Sequence, residues 1–166
     1  DVRMELTTKS ITLIAALFLT GLSAGLFYAW EFSVIPGAKR VADQTYIETM
    51  QAVNRAIINR AFMLIFFGSM LAQTMSLYLH RGTTAFWLIL SALATYFLGT
   101  LLVTALGNVP LNNGLDALNL KDLSVEEINQ HRSAYEAKWN KLHTVRTAFA
   151  VLSFSLMVVS TMLAMK

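Results

Sequence analysis

The sequence predicts an all-α integral membrane protein: an up-and-down bundle of four spanning helices in a single domain, 1–166. An amphipathic surface helix is expected between spans 1 and 2, and a helical extension leading into span 4. Three observations carry this reading. Hydrophobic residues make up 55% of the 166, while only 14% are charged, against roughly 25% charged in an ordinary soluble domain. Four stretches reach the roughly 20 apolar residues that cross about 30 Å of hydrocarbon. The polar residues gather between those stretches, mostly at one end of the bundle.

The first span is read as Ile11 to Phe32, with Pro36-Gly37 expected to end it, because proline lacks an N–H donor and its ring crowds the preceding turn. In "QTYIETMQAVNRAIIN" Tyr46, Met50, Val53 and Ile57 recur at helical spacing, opposite a stripe of Glu48, Gln51, Arg55 and Asn59. That pattern is an amphipathic helix lying on or dipping into the membrane surface. Spans 2 and 3, Ala61 to Leu79 and Thr84 to Leu106, are separated only by "HRGT", whose Gly82 suits a tight turn, so the two form an antiparallel hairpin. Asn108-Val-Pro110 is expected to end span 3. The connection from Asn108 to about Lys141 opens with an Asn- and Gly-rich turn, then carries Ser124 and Glu127 at capping-box spacing. The helix begun there is expected to run on into span 4, Arg146 to Met165. The sequence opens on Asp1 rather than Met, so residues ahead of it are expected and no targeting signal is read.

Composition also excludes functions. Without cysteine there is no disulfide, thiolate metal site, Cys-ligated iron–sulfur cluster or covalent c-type haem. Lys and Arg exceed Asp and Glu by only 13 to 10 and form no basic block, so a nucleic-acid partner is not indicated. The expected partners are the lipid bilayer, an aromatic or quinone-like small molecule, and other membrane subunits. His80, His131 and His143 lie far apart and none forms an HxxxH pair, so no metal site is expected; His143, near the end of a span, is the one place where a haem or metal could be considered. Nucleotide-binding glycine patterns and GxSxG are absent.

In an even-numbered bundle the end of span 1, the start of span 2, the end of span 3 and the start of span 4 share one membrane side. That side receives Trp30 and Glu31, Asn54 and Asn59, Asn108 and Asn112, and "WNKLHTVR", which contains Trp139, Asn140, His143 and Arg146. Trp and Arg there could simply anchor a helix at the interface. His143 and Asn140, one turn apart, are not needed for anchoring, and ionisable groups inside membranes are functional by default. Glu31 is expected to pair with Arg55, Arg60 or Arg146. The three amides of "NVPLNN" exceed what a turn and cap require, and Asn54, beside the apolar stripe of its helix, needs partners if buried. Nine of the 13 Lys and Arg fall on this side, which by the positive-inside rule places the mouth in the cytoplasm, in a bacterial inner (plasma) membrane.

Four strips of the sequence, "GLFYAWEFSVIPGAKRV", "YIETMQAVNRAIINRAF", "TALGNVPLNNGL" and "WNKLHTVRTAFA", resemble the DUF1772 family of anthrone oxygenase-like membrane proteins. The similarity spans nearly the whole chain, and one departure is Arg60, where a proline is expected. The resemblance implies a four-span bundle and, for the members that gave the family its name, oxygenation of anthrones to anthraquinones without an obvious bound cofactor. In that chemistry His143 is the natural base, with a pKa ordinarily near neutrality. Arg146 and the amides of Asn108, Asn112 and Asn140 would hold the developing oxyanion, and Trp30, Trp139 and Tyr28 would wall an aromatic ligand. The alternative is a non-catalytic accessory subunit, or a module binding lipid or quinone in a larger membrane complex.

Overall fold

The structure, a computed structural model, describes residues 7–164. Arg3 and Lys166, counted above for orientation, and Met165, the expected end of span 4, lie outside the described residues. Within them the chain forms five helices, α1 (Thr8–Ala38), α2 (Asp43–Ala56), α3 (Arg60–Leu79), α4 (Ala85–Asp116) and α5 (Val125–Ala164), and no strand. All but α2 are long and apolar enough to cross a membrane. Their outer faces expose Phe18, Leu64, Leu71 and Trp87, as contact with lipid rather than water requires.

The start signals act as the sequence implies. Thr7 and Ser10 form a reciprocal capping box at α1, and Ser124 and Glu127 form another at α5, with Ser124 N donating to Glu127 Oε2 at 2.7 Å. Gly82, at φ +79°, makes the turn between α3 and α4 in a conformation that other residues rarely adopt.

The stop signals do not. Helix α1 continues through Pro36 to Ala38, and α4 continues through Pro110 to Asp116. In each case a widened π-helical turn comes just before the proline. Trp30–Val34 is one such turn, with Ile35 N–H bonded to Trp30 O, and Thr104–Asn108 is another, with Val109 N–H bonded to Thr104 O. A proline breaks a regular helix by pressing on the carbonyl four residues back and withholding a donor. A turn already closed over five residues has shifted that ladder, and the helix passes through. Asn112 and Asp116 consequently ride on a rigid helix that projects beyond span 3.

The apolar face of α2 is covered by protein rather than lipid. Tyr46, Ile47 and Met50 are buried against Leu115 of α4 and against Ile128, Tyr135 and Trp139 of α5. Arg132 of α5 fastens this layer: its guanidinium donates to Val41 O at 2.6 Å and Asp43 Oδ1 at 2.8 Å and lies over the Tyr46 ring at 4.6 Å. A hydrogen bond from Asn129, reinforced by Arg132, holds the Asp43 carboxyl below its usual range. A depressed carboxylate pKa stabilises the fold above the unfolded value of about 3.9 and loses that contribution as pH falls through the folded value. Backbone hydrogen exchange in residues 39–46 is therefore expected to accelerate below about pH 4. Asp43→Asn should exchange faster at neutral pH and lose the acid step.

Inside the membrane the spans are joined by hydrogen bonds, because lipid tails provide no hydrophobic drive between helices. Ser23 of α1 meets the Tyr96 hydroxyl of α4 at 2.8 Å, and that hydroxyl donates to Phe66 O of α3 at 3.0 Å. Gln73 of α3 donates to Thr20 of α1 at 2.8 Å, while Ser153 of α5 donates to Ala92 O of α4 at 2.9 Å. Glycine allows the closest approach, at Gly99 of α4 against Phe149 of α5.

Candidate functional site

The site grows from one stripe of α5. Arg132, Tyr135, Trp139, His143, Arg146 and Ala150 follow each other by three or four residues and are all buried, as one face of a helix must be when its neighbours cover it. Along this stripe the rings stack. Trp139 lies parallel to His143, with centroids 4.9 Å apart and planes 6° apart, and Tyr135 stacks on Trp139.

His143 is held at both nitrogens. Nε2 sits 3.1 Å from Phe27 O; a carbonyl only accepts, so Nε2 carries the proton and Nδ1 presents its lone pair. That lone pair receives two donors from Arg146, Nε at 3.0 Å and Nη2 at 2.8 Å. The third guanidinium nitrogen, Nη1, donates to Thr104 Oγ1 at 3.3 Å. Three of the five N–H donors are thereby used. The guanidinium plane is flanked by the rings of Phe27 at 4.6 Å and Trp139 at 5.2 Å, favourable faces for a cation. Arg146 is 8% exposed, and among the described residues no carboxylate comes within 4 Å of it. Its charge is balanced at a distance, by the Glu31 carboxylate on the other side of His143, and not by contact.

Arg146 and His143 form part of the wall of a cavity of about 340 Å³. Much of the rest of its inner surface is apolar, with Phe27 and Trp30 from α1 and Phe62 and Phe66 from α3 beside Leu26, Met63 and Leu101. Toward the water end it meets Asn54 and Asn112, which are tied together: Asn54 donates to the Tyr135 hydroxyl at 3.2 Å, and Asn112 Oδ1 accepts from Tyr135 at 3.0 Å and from Trp139 Nε1 at 2.8 Å. Beyond them an Arg55–Asp116 ion pair, 2.6 Å, links the end of α2 to the end of α4.

Of the residues singled out in the sequence, Trp30, Asn54, Asn112, Trp139, His143 and Arg146 line this cavity. The others sit elsewhere. Asn108 is fully buried behind the wall and donates to Trp139 O at 3.3 Å, pinning α4 to α5. Asn59 is the exposed N-cap of α3, its Oδ1 accepting from Phe62 N at 3.0 Å, so its amide serves the helix; the cap forms with Arg60, rather than a proline, at the first helical position. Asn140 points to a separate small cleft on the far side of Trp139, beside Val34 and Met50. Tyr28 is 53% exposed and packs on Phe32, outside the cavity. Glu31 bonds to none of the three arginines expected for it. Its Oε1 accepts from Thr144 Oγ1 at 2.8 Å, and its Oε2 lies 3.7 Å from His143 Nε2. The sequence reading passed over Tyr135 and Phe27. Tyr135 was signalled by its position four residues before Trp139, but Phe27, chosen by its carbonyl and its ring, carries no such signal. Among the described residues no three His, Cys, Asp or Glu side chains are grouped closely enough to hold a metal ion.

Fold and cavity define a multi-pass helical membrane protein with a largely apolar chamber at one end and a buried arginine in its wall. The chain belongs to the anthrone oxygenase family, whose family model matches residues 55–156, from the last turn of α2 to the middle of span 4. The match takes in Phe62, Thr104, Asn112 and the whole of Trp139 to Arg146; Phe27, Trp30 and Glu31 on α1 lie outside it. No curated protein and no solved structure matches the chain at a significant level.

Proposed function

We propose that the protein is a membrane oxygenase which converts an enolisable aromatic ketone of the anthrone type, or a quinone-like relative, through direct reaction of its enolate with dioxygen in this cavity. The observation that carries the reading is Arg146: a cation with no carboxylate in contact, in the wall of a largely apolar chamber, is suited to an oxyanion with an apolar body. By its excess of Lys and Arg, the cavity end faces the cytoplasm of a bacterial inner membrane.

The chemistry closes without a further reductant. Loss of a proton from the ring CH₂ gives the enolate, which transfers electrons to dioxygen and forms a carbon–oxygen bond. The resulting hydroperoxide takes up a proton and eliminates water, leaving a carbonyl. The carbon loses four electrons and dioxygen gains four, so one oxygen atom ends in the quinone and the other in water. No resident cofactor is required by that balance. Ligation of haem or metal by His143 would have to break its bond to Phe27 O or to Arg146.

In the resting geometry His143 cannot act as a base, because Nδ1 already faces two N–H donors. The ligand oxyanion competes for that same edge of Arg146. When the guanidinium turns to the oxyanion, the Nδ1 lone pair is released to take the carbon-bound proton, and the imidazolium so formed is stabilised at Nε2 by Phe27 O and the nearby Glu31 carboxylate. Glu31 then acts from behind the cavity wall, and His143 and Arg146 act within it.

The test is oxygen consumption by the purified protein in nanodiscs with a model anthrone under isotopically labelled dioxygen. One labelled atom per quinone and one dioxygen per anthrone are expected, with His143→Ala slower by about 10²–10⁴-fold. Uptake no faster than spontaneous autoxidation, or undiminished in His143→Ala, would overturn the proposal. A stable larger complex isolated in place of activity would favour the accessory-subunit reading.

A further inference from the structure

The cavity has two unlike ends, and only one suits the passage of an apolar molecule. At the water end α2 is tied down over the mouth. Gln51 donates to Leu115 O at 2.8 Å and Leu118 O at 3.1 Å, Asn54 to Tyr135, and Arg55 pairs with Asp116. On the lipid side α1 packs closely against α3 and against α5, and α4 packs against α5 along its length. Helices α3 and α4 behave differently. They pack from the Gly82 turn up to Tyr96–Leu102, then part, with no comparable packing between α3 and Thr104–Asn108 or Val109–Asp116. The cavity reaches this gap, whose rim is Met63 and Phe67 on α3 and Ala105 and Val109 on α4. All four side chains are apolar. Phe67 is 43% and Val109 41% exposed.

We infer that ligands enter this cavity sideways from the bilayer, through a portal between α3 and α4, and that it takes membrane-dissolved amphiphiles bearing one anionic oxygen headgroup, which docks on Arg146. Charge complementarity identifies the headgroup, because the one carboxylate in the lining, Asp116, is paired with Arg55 at the water end, which leaves Arg146 with no carboxylate in contact, and three amide side chains, Asn54, Asn112 and Asn113, also line the cavity. The rim identifies the route, because a bilayer-dissolved molecule loses no apolar contact in crossing it, whereas the mouth would require it to pass a salt bridge and three hydrogen bonds made by α2. The inference shares with the proposed oxygenation the assumption that Arg146 receives an oxyanion, and it stands or falls by binding rather than turnover.

The probe is cis-parinaric acid, a fluorescent fatty acid, in nanodiscs of zwitterionic lipid at alkaline pH. Trp87→Phe serves as the background: Trp87 is exposed to lipid near the opposite end, whereas Trp30 and Trp139 line the cavity and report energy transfer to a bound probe. Saturable transfer is expected, about tenfold or more stronger for the acid than for its methyl ester, from the charge-assisted bonds the ester lacks. Half-saturation should follow the mole fraction of probe in lipid, so that adding lipid at constant probe lowers the signal. Ala105→Phe should slow association and dissociation together, by about tenfold, with little change in affinity, since a narrowed route alters rates and not the bound state. Phe67→Ala should speed both, and it keeps the inference testable should the larger side chain unfold the protein. Equal binding of acid and ester, half-saturation set by aqueous concentration alone, or rates moved by Arg55→Ala but by neither rim variant would overturn it. Bound probe with no oxygen uptake would sink the oxygenase reading and leave the portal standing; uptake with unsaturable probe would do the reverse.

Discussion

Arg146→Lys is expected to remove most of the proposed oxygenase activity although it keeps the charge. The guanidinium donates to His143 Nδ1 through two nitrogens and to Thr104 through the third, while lying between two aromatic rings. A lysine ammonium is a point donor on a flexible stem and reproduces neither the fork nor the stacking. Removing one donor from an oxyanion site typically costs about 10²–10³ in turnover, or about 3–4 kcal/mol, and Arg146→Met should cost at least that. The accompanying change in stability is the more discriminating measurement. An arginine at the centre of a membrane segment carries a penalty of about 2.5–3.5 kcal/mol on insertion scales; Arg146, at the start of span 4 but 8% exposed, carries part of it and has no carboxylate in contact. Arg146→Met should therefore raise, or leave unchanged, the unfolding temperature in detergent while it eliminates activity. A cation kept for packing would show the opposite pattern, with stability lost and turnover of the surviving folded protein largely preserved. Full turnover by Arg146→Lys would remove the oxyanion role.

Gly99→Ala is expected to be the most damaging small substitution in the bundle. A Cβ at Gly99 would overlap the ring atoms Cγ and Cδ1 of Phe149 and crowd its Cβ as well. A ring can swing toward lipid, and Phe149 is 39% exposed, but a Cβ is fixed to its own backbone. Relief therefore requires α4 and α5 to separate along the contact that also carries the Thr100 hydroxyl to Arg146 O. Overpacking of this kind costs about 3 kcal/mol or more, read as a fall in unfolding temperature and in the yield of monodisperse protein. Phe149→Ala should rescue the variant poorly because it retains the Cβ; Phe149→Gly should rescue it better despite its own helix penalty of about 1 kcal/mol. Equal rescue by the two would show that only the ring is in the way, and an undisturbed Gly99→Ala would show that the close approach is dispensable.

How far the sequence foretold these features depends on which forces set them. Burial from water determines the spans, and a run of apolar residues carries that information locally, so four spans and the hairpin at Gly82 were legible. The convergence of polar strips followed from counting membrane crossings. Side-chain direction was legible only on a regular helix with a known neighbour. On α5, spacing alone placed both Asn140 and Tyr135 within reach of Trp139, and it took the positions of α1 and α4 to bring Tyr135 into the network with Asn112 and turn Asn140 to the other cleft. Glu31 had three cationic partners available by composition, yet Arg55 went to Asp116 and Arg146 to His143. The prolines misled because their effect depends on the turn before them, and nothing in "WEFSV" or "TALGN" announces a turn of five.

Those turns also make chain length a determinant of chemistry. Each places one residue more in a turn than a regular helix would, so everything after it sits about 100° back from where an unbroken α-helix of the same residues would carry it. In Thr104–Asn108 that offset is what aims Asn112 at Tyr135 and Trp139 and Asp116 at Arg55. Deleting a single residue there, Leu106 for instance, would turn it into an ordinary helical turn and leave the amide and the carboxylate in phase with their partners. Tightening the same turn with all five residues kept would swing both about a quarter turn away. The water end of the chamber is thus set by counting as much as by residue type.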